Sequence, residues 1–349
     1  NTYSFLYLYC IDNVLILFIV ISIDLLLNRM IEKEEDFLKN IQDLPSWVEL
    51  YKLNHWSPTQ LNSMICLWAY KYLYLSQEER RNLPGNAKMF TGTCLGEMLK
   101  LTFGNYEWKY IKGKGLTKEP IPKQRKIFEK ILEHGTDNCE PFNYYKPVDG
   151  EDKKNYDVAK AGLARSYATL KAAMKDVNLL GETECERSIN LPLKNCILPV
   201  SGRVDIENKN AFIEFKTKHK KKNRPKKDGT VSYSLPNINK GYMGWQDHIL
   251  QVATYYFAND GKKKPHLVVM NEEKYNIFTP DNCDDLKPEN LKLYLSKMSR
   301  VAHERESIMA KHAGKTTWVE EISPDFTHFF WKGMGEHLDT AKKLWKLDS

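Results

Sequence analysis

The stretch Gly202-Arg203-Val204-Asp205-Ile206-Glu207-Asn208-Lys209-Asn210-Ala211-Phe212-Ile213-Glu214-Phe215-Lys216 decides the fold. Polar and apolar residues alternate on both sides of an Asn-Lys pair, the pattern of two half-buried strands joined by a tight turn. With Asn208-Lys209 as a two-residue turn, which asparagine tolerates, Glu207 pairs with Asn210 and Asp205 with Phe212. Opposed residues share a face, so Arg203, Asp205, Glu214 and Lys216 fall on one side. Val204, Ile206, Ala211, Ile213 and Phe215 fall on the other. In this register Asp205 and Glu214 are diagonal neighbours, roughly 7–8 Å apart at the backbone. Two carboxylates so placed reach one hard divalent cation, and Lys216 projects beside it, where an ammonium orients a water or offsets charge on a phosphate. A solvated strand face of mixed charge satisfies the same pattern, so neighbouring segments must decide.

The surrounding chain supports a mixed α/β reading. TECERSINLPL, ILPVSGRVDIE and AFIEFKTK read as three consecutive strands, followed by a basic loop and a helix over 244–259. Strands are expected at His266–Met270 and Tyr275–Thr279 around an Asn-Glu-Glu turn, and a long helix from Pro288 to about Lys311. The amino-terminal half is expected to be mainly helical: Ser57–Tyr74, opened by a Ser cap and a Pro, then Thr91–Phe103, Lys123–His134 and Lys153–Asn178. The glycines and prolines of Lys112–Pro122 mark a loop. No repeat or linker appears, so residues 30–349 are expected to form one domain, with a helical part (30–180) and a core (181–280).

With 349 residues and 42% hydrophobic content against 28% charged, the chain buries a sizeable core and is neither disordered nor a disulfide mini-protein. Its 52 basic and 45 acidic residues leave a charge of +7. Seven cysteines without a C-x-x-C pair fit reduced thiols and a cytoplasmic location. Residues 1–29 hold an apolar run from Phe5 to Leu27 that lacks the basic start and cleavage site of a secretory signal. They read as translation from upstream of Met30 or as an anchor.

In the helix WQDHILQVATYYFA, Gln251 and Tyr255 stand four residues apart and share a face with His248. Leu250, Ala253 and Phe257 supply its buried side. Taken together, Gly202-Arg203-Val204-Asp205, Glu214-Phe215-Lys216 and Gln251-Val252-Ala253-Thr254-Tyr255 resemble the PD-(D/E)xK nucleases of the RecB-like and lambda-type exonuclease branch, whose pattern runs G-x-(I/V)-D, E-x-K, Q-x-x-x-Y. Ser57-Pro58-Thr59-Gln60-Leu61 followed by Cys66 is similar to the opening of RecB-type domains, so the likeness spans about residues 55–280.

The resemblance implies a restriction-endonuclease-like core, a mixed central sheet flanked by helices, and a Mg²⁺-dependent DNA exonuclease, with Mn²⁺ as an alternative ion. A non-catalytic DNA-binding module and an endonuclease are the rivals. Asp205, Glu214 and the Phe215 carbonyl would hold the metal, Lys216 would orient the attacking water, and Gln251 and Tyr255 would position Lys216 or the scissile strand. A helix histidine of the family is replaced by glycine in Gly92-Thr93-Cys94-Leu95-Gly96-Glu97, where Glu97 is a substitute ligand one position out of register. An iron–sulfur cluster is excluded, since only Cys283 follows Tyr255.

Glu182, Glu184 and Glu186 alternate along the first strand, so either of the last two is a candidate third carboxylate or part of a solvated edge. Lys218, Lys220, Lys221, Lys222, Arg224, Lys226 and Lys227 form a basic run expected to be a flexible, phosphate-contacting loop. Trp245, Tyr242, Tyr233 and the Trp68–Tyr74 cluster are candidates for stacking bases of a frayed end, Trp68 and Tyr72 fitting the core better. The expected partners are DNA with linear or single-stranded ends and a single-strand annealing or binding protein, with no membrane.

Overall fold

The computed structural model describes residues 44–81, 83, 87–103, 107–111, 115–119, 150–179, 183–238, 246–328, 331 and 334–347. Residues 1–29, the helix expected at 123–134, Glu182, Tyr242 and Trp245 lie outside the described residues. The chain divides into two compact units, residues 1–50 and 51–349. Of the first, the description begins at residue 44 and enters helix α1 (Ser46–Tyr51). No helix among the described residues is long and apolar enough to cross a membrane.

Helix α2 (Pro58–Asn62) opens as the sequence predicts. Ser57 Oγ accepts from the Gln60 amide at 3.1 Å, and the Gln60 side chain accepts from the Ser57 amide at 2.6 Å, a reciprocal capping box. The helix does not continue unbroken to Tyr74. Arg305, 3% exposed, donates to the carbonyls of Gln60 and Ser63, acceptors a continuous helix would have used itself. The chain restarts as α3 (Ile65–Ala69), which runs into a π turn over Tyr70–Tyr74. Helices α4 (Gln77–Arg81) and α5 (Ala87–Phe103) follow. The expected loop at 112–122 is corrected in part: β1 (Glu107–Ile111) and β2 (Gly115–Glu119) pair antiparallel, Ile111 opposite Gly115. Trp108, Tyr110 and Ile111 favour an extended backbone strongly enough to draw the glycine-bearing segment into a hairpin.

After α6 (Gly150–Val177) come β3 (Glu184–Leu191), β4 (Val200–Glu207) and β5 (Ala211–Thr217), then the two-residue strands β6 (Lys221–Lys222) and β7 (Tyr233–Ser234). Helix α7 (Gln246–Ala258) leads to β8 (Lys264–Met270) and β9 (Tyr275–Phe278). Helices α8 (Pro288–Lys311) and α9 (Glu336–Leu344) complete the described elements. The main sheet has the order β3-β4-β5-β8-β9 and is mixed: β5 and β8 are parallel and the other pairs antiparallel. A parallel pair needs a crossover, which α7 supplies.

Helices cover both faces. Ile206, Ile213, Val268 and Met270 form one buried cluster with Cys94, Leu95, Met98 and Leu99 of α5 and Leu163, Leu170 and Met174 of α6. On the opposite face Phe212 meets Tyr255 of α7 edge-on, ring centres 6.0 Å apart. Helix α8 is tied to the start of β4 through Glu306, a buried carboxylate that accepts from Trp56 Nε1 at 3.0 Å and from the Ile197 and Leu198 amides at 2.7 and 2.9 Å. Its charge is thus fully met by donors.

Candidate active site

The hairpin register differs from the expected one by two residues. Ile206 pairs with Ile213 and Glu207 with Phe212, so the turn lies at Lys209-Asn210. The cause is Asn208: its amide donates to the Ala211 carbonyl at 2.9 Å, and its Oδ1 accepts from the Asn210 and Ala211 amides at 2.9 and 2.8 Å. This Asx turn closes the loop one residue later than a turn centred on Asn208. An even slip preserves the faces, because side-chain direction repeats every two residues. Continued by one residue, this register would set Asp205 opposite Glu214 rather than diagonal to it.

Beyond Ile206 the β4–β5 ladder stops, and the Asp205 carboxylate takes the Phe215 amide at 2.7 Å. Glu214 is 2% exposed, with Oε1 2.6 Å from Lys216 Nζ, while its buried Oε2 meets no N–H donor and the Asp205 carboxyl lies within hydrogen-bond reach of Glu214. Burial, then the charge of Glu214, raises the Asp205 carboxyl well above the usual carboxylate range. Burial raises Glu214 as well, against the pull of Lys216. Burial works against the Lys216 ammonium, but the charges of Glu214 and Asp205 outweigh it and hold the amine above its ordinary pKa. One buried carboxyl, one half-buried carboxyl and one fixed cation thus stand together on the sheet, a common arrangement where chemistry is done.

Glu186 joins this face. The bridges Cys185–Ile206 and Arg187–Val204 flank it, but it has a left-handed backbone (φ 57°) and skips the pairing with Asp205. The even alternation expected of Glu182, Glu184 and Glu186 therefore breaks here. Glu184 is exposed, whereas half-buried Glu186 lies 3.7 Å from Arg203 Nη1, and its charge helps to raise both Asp205 and Glu214. Its Oε1 is 4.0 Å from where a Cβ on Gly96 of α5 would stand. Gly96 thereby leaves the space a bulkier helix residue would occupy. Glu97 lies in α5, its side chain outside the described residues.

Helix α7 lies across this face. Tyr255 is buried, and its hydroxyl, raised by burial and by the charges of Glu214, Asp205 and Glu186, meets the Arg203 backbone. Gln251 stands half-buried one turn earlier. His248 is buried, and burial with the charges of Lys216 and Lys218 pushes its imidazole down to about 2, so it is neutral at every working pH. Lys218 is half-buried and lowered to about 8 by burial.

The basic run is folded into a hairpin. Lys220 is 2.5 Å from Glu272, and the chain then forms the β6–β7 hairpin, on which Lys221, Lys222, Arg224, Lys226 and Lys227 are exposed. Tyr233 is half-buried. Trp68 is fully buried beneath the Arg305 guanidinium, 4.9 Å above its ring, so it belongs to the core. Tyr72 is half-buried under Arg80, 5.1 Å away.

Among the described residues, no three His, Cys, Asp or Glu side chains group closely enough to hold a metal ion. The donor set does fit an ion that keeps much of its water: Mg²⁺ is commonly held by one or two carboxylates plus substrate and solvent oxygens. Glu214 Oε2, buried and met by no N–H donor, is the atom such an ion would satisfy.

No family model matches the chain, and no curated protein matches it. Among solved structures it is similar to a candidate exonuclease from Eubacterium rectale, with 11% identity, TM-score 0.41 and coverage of 76% of this chain and 86% of that one. It is also similar to the protein SSO0001, with 15% identity, TM-score 0.26 and coverage of 53% and 87%. Likeness at these values is too slight to speak for the chemistry, which stands on the geometry of Asp205, Glu214 and Lys216.

Proposed function

We propose that this chain is a nuclease of the PD-(D/E)xK type, a divalent-cation-dependent hydrolase of DNA phosphodiester bonds acting from linear ends. The observation that carries the reading is Glu214: it is buried, one oxygen is held by Lys216 at 2.6 Å, and the Asp205 carboxyl lies within hydrogen-bond reach of it. Asp205 and Glu214 would hold Mg²⁺ or Mn²⁺, with the Phe215 carbonyl as a further donor. When bound, the ion would polarise the phosphate and activate the attacking water.

The remaining work falls to the protein. In the fold without an ion, the charges of Glu214 and Asp205 favour the Lys216 ammonium over the amine. Its Nζ would orient water and offset negative charge developing on the phosphate. Glu214 fixes Nζ at 2.6 Å, so little reorganisation is needed as that charge develops. Tyr255, protonated and buried, holds the backbone of β4 beside Asp205, and Gln251 lies within the same helical face to meet the scissile strand.

The test is incubation of labelled linear and covalently closed circular DNA with Mg²⁺ and with a chelator. Degradation of linear DNA alone, abolished by chelation, is the expected result. Nicked circles identify an endonuclease, and binding with neither product identifies a non-catalytic module.

A further inference from the structure

We propose that the hairpin built on β6 and β7 is a rigid basic finger that enters the major groove of B-form DNA, making duplex rather than single-stranded DNA the substrate class of the site. The inference rests on the nuclease reading for the polynucleotide and adds what form of it is gripped.

The finger is ordered to its tip. Past the paired Lys222 and Tyr233, the Asn223 amide donates to Ser232 O at 2.9 Å, Asn223 Nδ2 donates to Ser232 Oγ at 3.0 Å, and Ser234 Oγ donates to Asn223 Oδ1 at 2.8 Å. Further out, the Lys226 amide donates to Thr230 O and the Gly229 amide to Lys226 O, each at 2.9 Å. Gly229 takes φ +80°, which closes the turn, and Asp228, the acidic residue at the tip, is engaged by the Thr230 amide and hydroxyl.

The finger is also firmly mounted beside the site. Lys216 ends one side of the chemistry, and two residues later the Lys218 amide donates to Met270 O at 2.7 Å. Lys220 is 2.5 Å from buried Glu272, which Arg165 of α6 holds from the other side at 3.0 Å. The returning chain is pinned where Asn271 and Asn276 donate to the Pro236 and Ile238 carbonyls. A segment so anchored keeps its aim relative to Lys216.

Charge is divided between the two sides. The outgoing side carries exposed Lys221, Lys222, Arg224, Lys226 and Lys227, while the returning side, Thr230-Val231-Ser232-Tyr233-Ser234, bears none. One edge suits the phosphates of a groove wall and the other, with hydroxyls and exposed Val231, suits base edges. A two-stranded ribbon about 5 Å between strands fits the B-form major groove, about 12 Å wide, but is shut out of the deep, narrow major groove of A-form RNA. Charge alone would not distinguish these two duplexes.

Binding is measured by fluorescence anisotropy of the full chain in a chelator, against a DNA duplex, its single strand and an RNA duplex of the same sequence. The expected result is a preference of about tenfold or more for the DNA duplex over both others, with a steep salt dependence. Changing Arg224, Lys226 and Lys227 to Gln should erase most of that preference and lower the log–log salt slope by about 0.9 per lost contact. Replacing Asn223–Ser232 by a short glycine turn should do the same; if that variant melts early, the charge variant carries the test. Equal binding of the DNA and RNA duplexes by the wild-type chain, or survival of the preference in the triple variant, overturns the finger. Finger-dependent duplex preference without Mg²⁺-dependent cleavage upholds it and overturns the nuclease reading instead.

Discussion

Tyr255 lays the edge of its ring where a side chain on Gly202 would begin: a Cβ there would stand 2.7 Å from Tyr255 Cε1 and 3.3 Å from its hydroxyl. Two segments 53 residues apart in sequence are thereby one contact, which gives a physical reason for the glycine of G-x-V-D and the tyrosine of Q-x-x-x-Y to occur together. Gly202→Ala should cost about 1–3 kcal/mol through overpacking, read from denaturant midpoints. With Tyr255→Leu in the background the penalty should shrink, and strictly additive effects in the double-mutant cycle would show the ring to be free of Gly202.

The paired carboxyls give the metal-free protein a pH signature. Because Asp205 and Glu214 are raised in the fold, the unfolded chain ionises first as pH rises through about 4, so their contribution to stability falls from there up to their folded pKa values. Asp205→Asn or Glu214→Gln should therefore melt higher than the wild type at neutral pH in a chelator, by an amount on the order of 1 kcal/mol, and lack the stabilisation by Mg²⁺ expected of the parent. Thermal melts with and without Mg²⁺ check both halves. A wild-type melting temperature indifferent to Mg²⁺ would speak against an ion at this pair.

Lys216 should separate chemistry from binding. Lys216→Met should reduce kcat by about 10²–10³-fold with little change in DNA affinity, since its charge is used as the transition state forms. Lys216→Arg should not restore the rate, because a planar fork cannot replace a point charge fixed 2.6 Å from Glu214. Single-turnover rates with anisotropy measured in parallel decide it.

His248 supplies the opposite pH dependence. Its folded pKa is lowered to about 2, so below about 6.5 the unfolded chain takes up a proton that the fold refuses, and stability drops by up to about 1.4 kcal/mol per pH unit as the medium is acidified. His248→Gln should flatten the stability curve between about pH 6 and 4 while leaving its neutral limb in shape. Urea titrations across that range measure the slope difference.

The faces of the hairpin were legible in the sequence because a period of two survives any even slip; the register was not, because it depended on which amides the Asn208 side chain would take. The break between α2 and α3 was hidden for a related reason: its cause, Arg305, is a buried cation 242 residues downstream of Ser63. Glu186 was visible as a carboxylate on the correct face, but its left-handed backbone answers to local pairing that alternation does not encode. The basic hairpin was obscured by lysines, which favour neither strands nor turns and read as solvated loop.

The close approach of Glu272 to Gly162 of α6, where a Cβ would collide with Oε2, lets one carboxylate sit low enough on that helix to take both Arg165 and Lys220. Mechanically this places a fulcrum on the short segment between β5, which carries Lys216, and the β6–β7 hairpin. From the hairpin towards β5 the chain meets the Lys220–Glu272 pair, and through Arg165 the 28-residue helix α6, before it reaches the 2.6 Å contact between Lys216 and Glu214. The hairpin and the Lys216–Glu214 pair are thereby held by separate anchors although only residues 218–220 part β5 from β6.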